Sequence, residues 1–137
     1  TLDAIADSYN PLLGIISLLL IATALWAKRW RLAGNRFLSI VTGLTVAYGL
    51  MLLDNHLRIW PKFGLDYSTH TAVAVFLVVY LVINAKRLTA LWVGSLLAYF
   101  ALIFYQRYHG VADVVTTCVV VLIPTALVMW YLRPRTD

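Results

Sequence analysis

Five long apolar runs, separated by short polar segments, leave this chain few ways to fold. They cover residues 11–27, 37–53, 70–84, 88–105 and 114–132. A membrane-spanning helix needs roughly 20 predominantly apolar residues, within a range of about 17–25. None of the runs alternates with period 2 over its length, so a membrane barrel is not expected. The expected fold is all-α: a polytopic membrane helical bundle of about five transmembrane helices, forming one integral membrane domain over residues 1–137. Composition agrees. The chain is 62% hydrophobic and 12% charged, against roughly 45–50% and about 25% in soluble domains. No cleavable signal pattern is visible.

Two prolines and one short run refine this expectation. Pro11 suits the first turn of helix one, where its missing donor is harmless. Pro124 falls inside helix five and should kink it or mark a packed contact. The third helix, counted from Thr69 to Asn84, would be about 24 Å long at 1.5 Å per residue. The hydrocarbon core is about 30 Å thick, so the end carrying His70 should lie near or slightly inside the interface.

The basic residues set an orientation. Lys28, Arg29, Arg31 and Arg36 fall between helices one and two, Lys86 and Arg87 between three and four, and Arg133 and Arg135 after five. In a five-helix chain these eight cations share one side. The other side holds Arg58, Lys62 and Arg107 with Asp3, Asp7, Asp54, Asp66 and Asp113. The positive-inside rule places the eight in the cytoplasm. A multi-pass protein of the cell inner membrane is therefore expected, with its N-terminus outward, or periplasmic, and its C-terminus cytoplasmic. Cations clustered between apolar runs serve orientation, and no nucleic-acid partner is expected. Cys118, the one cysteine, reads as a small apolar side chain within helix five.

All three histidines, His56, His70 and His109, fall on the outward side. Ionisable groups at membrane helices are functional candidates. In His109-Gly-Val-Ala-Asp113 the two side chains lie one turn apart if helix five begins there. A carboxylate so placed can accept the imidazole Nδ1–H and leave Nε2 as nucleophile or base; a helix-end cap would give the same spacing. In Asp66-Tyr-Ser-Thr-His70, Ser68 or Thr69 is a natural N-cap of helix three. His70 would then sit in its first turn, beside backbone N–H groups that favour phosphate. Capping or interfacial hydrogen bonding is the plainer role for His70. Arg107, Arg58 and Lys62 supply cations for phosphate oxygens, or ordinary headgroup contacts, with Trp60 and Tyr108 in the aromatic belt. Asp54, Asn55 and His56 read as a polar helix end.

These residues resemble the type-2 phosphatidic acid phosphatase superfamily, whose membrane enzymes read K-x6-R-P, then P-S-G-H, then S-R-x5-H-x3-D. Tyr67-Ser68-Thr69-His70 stands where the second motif belongs, without its Pro and Gly. His109 and Asp113 match the end of the third, with Arg107 as the nearest cation in place of Ser-Arg. Trp60-Pro61 stands where the first belongs, with Arg58 and Lys62 near it. Ser-Thr-His-Thr and His-x3-Asp-Val are also similar to the sphingomyelin synthases. The similarity covers about Asp54 to Asp113, and the family usually has six membrane helices.

The resemblance implies a lipid-phosphate phosphatase or phosphotransferase acting on a phospholipid or isoprenoid phosphate at the outer face. Its catalytic residues would be His109, Asp113 and His70, and its phosphate-binding residues Arg107, Arg58, Lys62, Ser68 and Thr69. His109 would form a phosphohistidine, Asp113 would orient it, and His70 would act as acid and then base. No metal or other cofactor is required by that chemistry. Two further readings stand beside it: a metal- or haem-binding membrane subunit using the three histidines, and a non-catalytic subunit of a membrane complex. A homo- or hetero-oligomer in the membrane is compatible with each.

Overall fold

The computed structural model describes residues 1–134, so Arg135 lies outside the described residues. The described residues form five α-helices: α1 (Leu2–Trp26), α2 (Trp30–Leu57), α3 (Thr69–Asn84), α4 (Thr89–Tyr105) and α5 (Val111–Tyr131). No strand occurs among the described residues. Single 3₁₀ turns occupy Pro61–Phe63 and Lys86–Leu88. Four of the helices are long and apolar enough to cross a membrane, α4 being counted with the 3₁₀ turn before it.

The short helix is the hub. α3 packs against α1, α2, α4 and α5. It buries residues around its whole circumference, including Ala72, Val75, Phe76, Tyr80 and Leu81. A helix apolar on every side is surrounded by protein or by lipid, and α3, with other helices around most of its circumference, need not match the lipid thickness by itself. The α2 face turned to it is built of Ser39, Gly43 and Ala47 at four-residue spacing, small side chains that let helix backbones approach. A Cβ at Gly43 would collide with the Phe76 ring.

Two helices run farther than their apolar runs. α1 begins at Leu2, where the Thr1 hydroxyl accepts the Ala4 N–H and Asp3 occupies the first turn. An oxygen cap and an acid at the positive pole of the helix both favour that start. Pro11 is therefore interior to α1 and exposed, not in its first turn as expected. α2 likewise extends the 37–53 run at both ends, to Trp30 and Leu57. α5 opens at Val111, ahead of the 114–132 run, and carries Pro124 in its interior as expected.

Polar ties mark two ends of the bundle. At the histidine end, Asn10 Nδ2 donates to the His70 carbonyl at 3.1 Å, and Gln106 Nε2 and the Tyr108 hydroxyl donate to Asp3 at 2.6 and 2.9 Å. At the arginine end, Arg36 donates to the Leu20 carbonyl at 2.6 Å and to Asn84 Oδ1 at 3.2 Å. Between the ends, α4 and α5 do not pack along their length. A groove of about 690 Å³ opens between them, floored by Val75, Val79 and Val82 of α3 and lined by Leu96, Cys118 and Leu122. Cys118 is thus half-buried in a groove wall.

Candidate functional site

The segment between α2 and α3 is held onto the first turns of α5. Asp54, buried near the end of α2, accepts the Trp60 backbone N–H at 2.8 Å. The Trp60 indole packs edge-on against Tyr67, with ring centroids 4.9 Å apart, and donates to Thr116 at 3.0 Å. Trp60 is 6% exposed, so it belongs to the core and not to an interfacial belt. The Ser68 N–H donates to Thr117 at 3.2 Å, and the Asp66 N–H donates to Asp113 Oδ1 at 2.9 Å. Asp113, Thr116 and Thr117 lie on one face of α5 by their three- and four-residue spacing.

Asp113 has a second task. Its Oδ2 accepts the Gly110 N–H at 2.9 Å. Gly110 is the N-cap and has no side chain to return the bond, so only the Asp113 half of a capping box forms here. His109 lies just before the cap and outside the helix, which differs from the expected helical i, i+4 pair. The turn nonetheless brings the ring back. His109 Nδ1 stands 3.8 Å from Asp113 Oδ2 and 3.6 Å from Asp66 Oδ2. Both separations exceed hydrogen-bond length. The Nδ1 atom is buried and lacks a hydrogen-bond partner, so a shift of a few tenths of an ångström would give it one carboxylate or the other.

The three orphaned buried side-chain atoms among the described residues are His109 Nδ1, Asn10 Oδ1 and Gln106 Oε1. All belong to the histidine end. Buried polar atoms without partners are uncommon and call for a ligand, water or functional cause.

The remaining candidates are placed as follows. Ser68 is the N-cap of α3; its hydroxyl accepts the Thr71 N–H and pairs with the Thr71 hydroxyl at 2.7 Å. With 0% exposure, that hydroxyl is committed to the cap. Ala72 donates to the Ser68 carbonyl, so the Thr69 and His70 N–H groups are the donors left open at this helix start. His70 is in the first turn and exposed. Among the described residues no hydrogen bond or ion pair joins its ring to His109. Arg58, Lys62 and Arg107 are exposed, and none is within ion-pair distance of a described carboxylate. Arg58 and Arg107 adopt left-handed backbone, with φ of 53° and 59°. His56 is exposed at the end of α2, and no three His, Cys, Asp or Glu residues among those described are grouped to hold a metal.

Asp66, which the sequence places on the outward side without a role, is the residue the fold adds beside His109. Its side chain is 73% exposed, against 16% for His109, and it comes to the imidazole from the far end of the α2–α3 segment. Only the fold could reveal that. Thr116 and Thr117 left a fainter signal, as polar residues following Asp113 at the opening of an apolar helix. Beside the site, the Asp3 carboxylate accepts the Tyr108 hydroxyl and holds that phenol above its ordinary range. The chain matches no protein-family model, no curated protein and no solved structure.

Proposed function

We propose that this protein is a membrane-embedded lipid-phosphate phosphatase or phosphotransferase that works through a phosphohistidine at His109. The observation that carries the reading is the His109 ring. Its Nδ1 is buried and partnerless beside Asp113 and Asp66, at a helix junction expected to lie at headgroup depth. An imidazole oriented through Nδ1 presents the Nε2 lone pair for attack. Nε2 forms a bond to phosphorus as the bond to the lipid oxygen breaks. His70 gives that oxygen a proton. Water, or an acceptor hydroxyl, then gives its proton to His70 and attacks phosphorus, and the P–N bond breaks.

Asp113 orients the ring and stabilises the imidazolium form that develops after attack. The equatorial phosphate oxygens are met by Arg107, Arg58 and Lys62 and by the open N–H groups of Thr69 and His70. The Ser68 hydroxyl contributes by capping α3, not by contacting phosphate. The apolar part of the substrate has a path along the groove over α3. Its wall begins at Cys118, five residues beyond Asp113 on the same helix, which is about 7.5 Å of rise. The cation distribution orients this site outward, to the periplasmic face of an inner membrane, with the arginine end in the cytoplasm.

The test is phosphate release from detergent-solubilised protein offered phosphatidate, isoprenoid phosphates and isoprenoid diphosphates. The wild type is expected to turn over at least one and to trap radiolabelled phosphate on histidine. His109→Ala should do neither. Full turnover by His109→Ala on every active lipid would refute the proposal.

A further inference from the structure

The arginine end holds a second feature that the catalytic reading leaves unused. The α1–α2 turn and the end of α5 border an open polar cleft of about 610 Å³, lined by Arg29, Trp30, Arg31, Asn35, Tyr131 and Arg133 among others. No carboxylate lines it among the described residues. Asp3, Asp7, Asp54, Asp66 and Asp113 all belong to the histidine half of their helices or loops; Asp137 lies outside the described residues.

The charges at this end run against the dipole of α2. α2 begins at Trp30 with no side-chain cap and no acid in its first turn. Instead Arg29 and Arg31 sit against the positive pole of the helix, the placement that the helix dipole opposes. Ala33 donates to the Arg29 carbonyl, so the N–H groups of Trp30, Arg31 and Leu32 are left without intrahelical acceptors. Arg133 comes from the other wall. Its guanidinium lies 4.0 Å above the Trp130 ring and donates one N–H to the Trp130 carbonyl at 2.7 Å, which fixes the group and leaves most of its donors open. The turn is itself tight. Lys28 takes left-handed backbone with φ of 59°, and Arg29 closes onto the Ala24 carbonyl at 2.9 Å.

We infer that this pocket binds the headgroup of an anionic phospholipid from the adjacent leaflet, and that a headgroup with two phosphates is preferred. Three guanidiniums and an uncapped helix start suit more than one negative charge. Trp30 and Tyr131 are 66% and 72% exposed and are the ring types that settle at the membrane–water interface. They set the pocket at headgroup depth, which selects a lipid over a soluble anion. The bound lipid would bridge the start of α2 and the end of α5.

The experiment is native mass spectrometry and thermal unfolding of the detergent-solubilised protein with added lipid. The probes are diphosphatidylglycerol, phosphatidylglycerol and phosphatidylethanolamine, with inorganic pyrophosphate as the soluble anion. One diphosphatidylglycerol should be retained and should raise the melting temperature most, with phosphatidylethanolamine inert. Combined Arg29→Gln, Arg31→Gln and Arg133→Gln should weaken retention roughly 100-fold, at about a factor of ten or less per lost cation. A control with Lys86→Gln and Arg87→Gln, exposed cations at the same end but outside the pocket, should retain the lipid. Equal retention of phosphatidylethanolamine, undiminished binding by the triple variant, equal loss in the control, or displacement by pyrophosphate would each overturn the inference.

Discussion

At the scale of single residues, the two carboxylates near His109 are not equivalent. Asp113 is 17% exposed and also accepts the Gly110 and Asp66 N–H groups, whereas the Asp66 side chain is 73% exposed. As the orienting partner, Asp113 should be indispensable: Asp113→Asn is expected to lower kcat by about 100-fold or more, as loss of the carboxylate that orients a catalytic imidazole does. Asp66 instead opposes an arriving phosphate. Asp66→Asn should keep kcat within severalfold and lower KM. Steady-state kinetics of the two variants separates these roles, and the reverse ranking would reassign them. Arg107 supports a second residue-scale expectation. It follows α4 with the paired closing bonds Arg107 N–H to Phe104 O and Tyr108 N–H to Ile103 O, at a φ of 59° where glycine is the unstrained residue. Arg107→Gly should therefore stabilise the fold by about 1 kcal/mol, yet reduce phosphate turnover if the guanidinium meets the substrate. A rise in melting temperature with unchanged kcat and KM would show the arginine to be idle. The nearness of His109 and Asp113 was legible in the sequence because four positions separate them at the opening of a helix, where either a helical turn or the turn before it brings the two side chains together. That of Asp66 was not, because 43 positions separate it from His109 and only the tie of the α2–α3 segment to α5 closes that gap.

At the scale of elements, the decisive contact is α2 against α3. Gly43 lies where a Cβ would enter the Phe76 ring, and Phe76 is 1% exposed. Gly43→Ala should therefore cost about 1–3 kcal/mol through overpacking, despite the better helix propensity of alanine. Adding Phe76→Leu should recover part of the loss, and non-additivity in a double-mutant cycle of melting temperatures would locate the clash. If Gly43→Ala raises stability alone, the two helices do not approach this closely. The helices themselves were legible from hydropathy, but their ends were not. Asp3, Ser8 and Asn10 at one end and Asp54, Asn55 and His56 at another look like loop by composition. Capping by Thr1 and continuous backbone bonding hold them helical beyond the apolar runs. The central position of α3 was likewise hidden. A run of Ala, Val, Phe and Leu reads alike whether lipid or four other helices surround it.

At the scale of the whole molecule, the bundle is polarised twice, by charge and by chemistry, and the two polarities share an axis. Seven of the eight cations expected inside are among the described residues, and they fall at the turn after α1, early in α2, in the turn before α4 and just after α5. The histidines and the orphaned polar atoms are gathered at the opposite end. If that axis follows the positive-inside rule, Lys62, in the 3₁₀ turn between α2 and α3, faces outward and Lys86, in the turn before α4, faces the cytoplasm. Both are exposed and neither side chain makes a hydrogen bond or ion pair among the described residues, so each tolerates replacement. In a Cys118→Ser background, Lys62→Cys should react with a membrane-impermeant maleimide on intact cells, whereas Lys86→Cys should react only in inverted vesicles. The opposite labelling would turn the molecule over and place His109 in the cytoplasm, where its lipid would have to come from the inner leaflet. Labelling of both sites in intact cells would mean mixed insertion, and would show that the charge difference between the ends does not decide orientation in this chain.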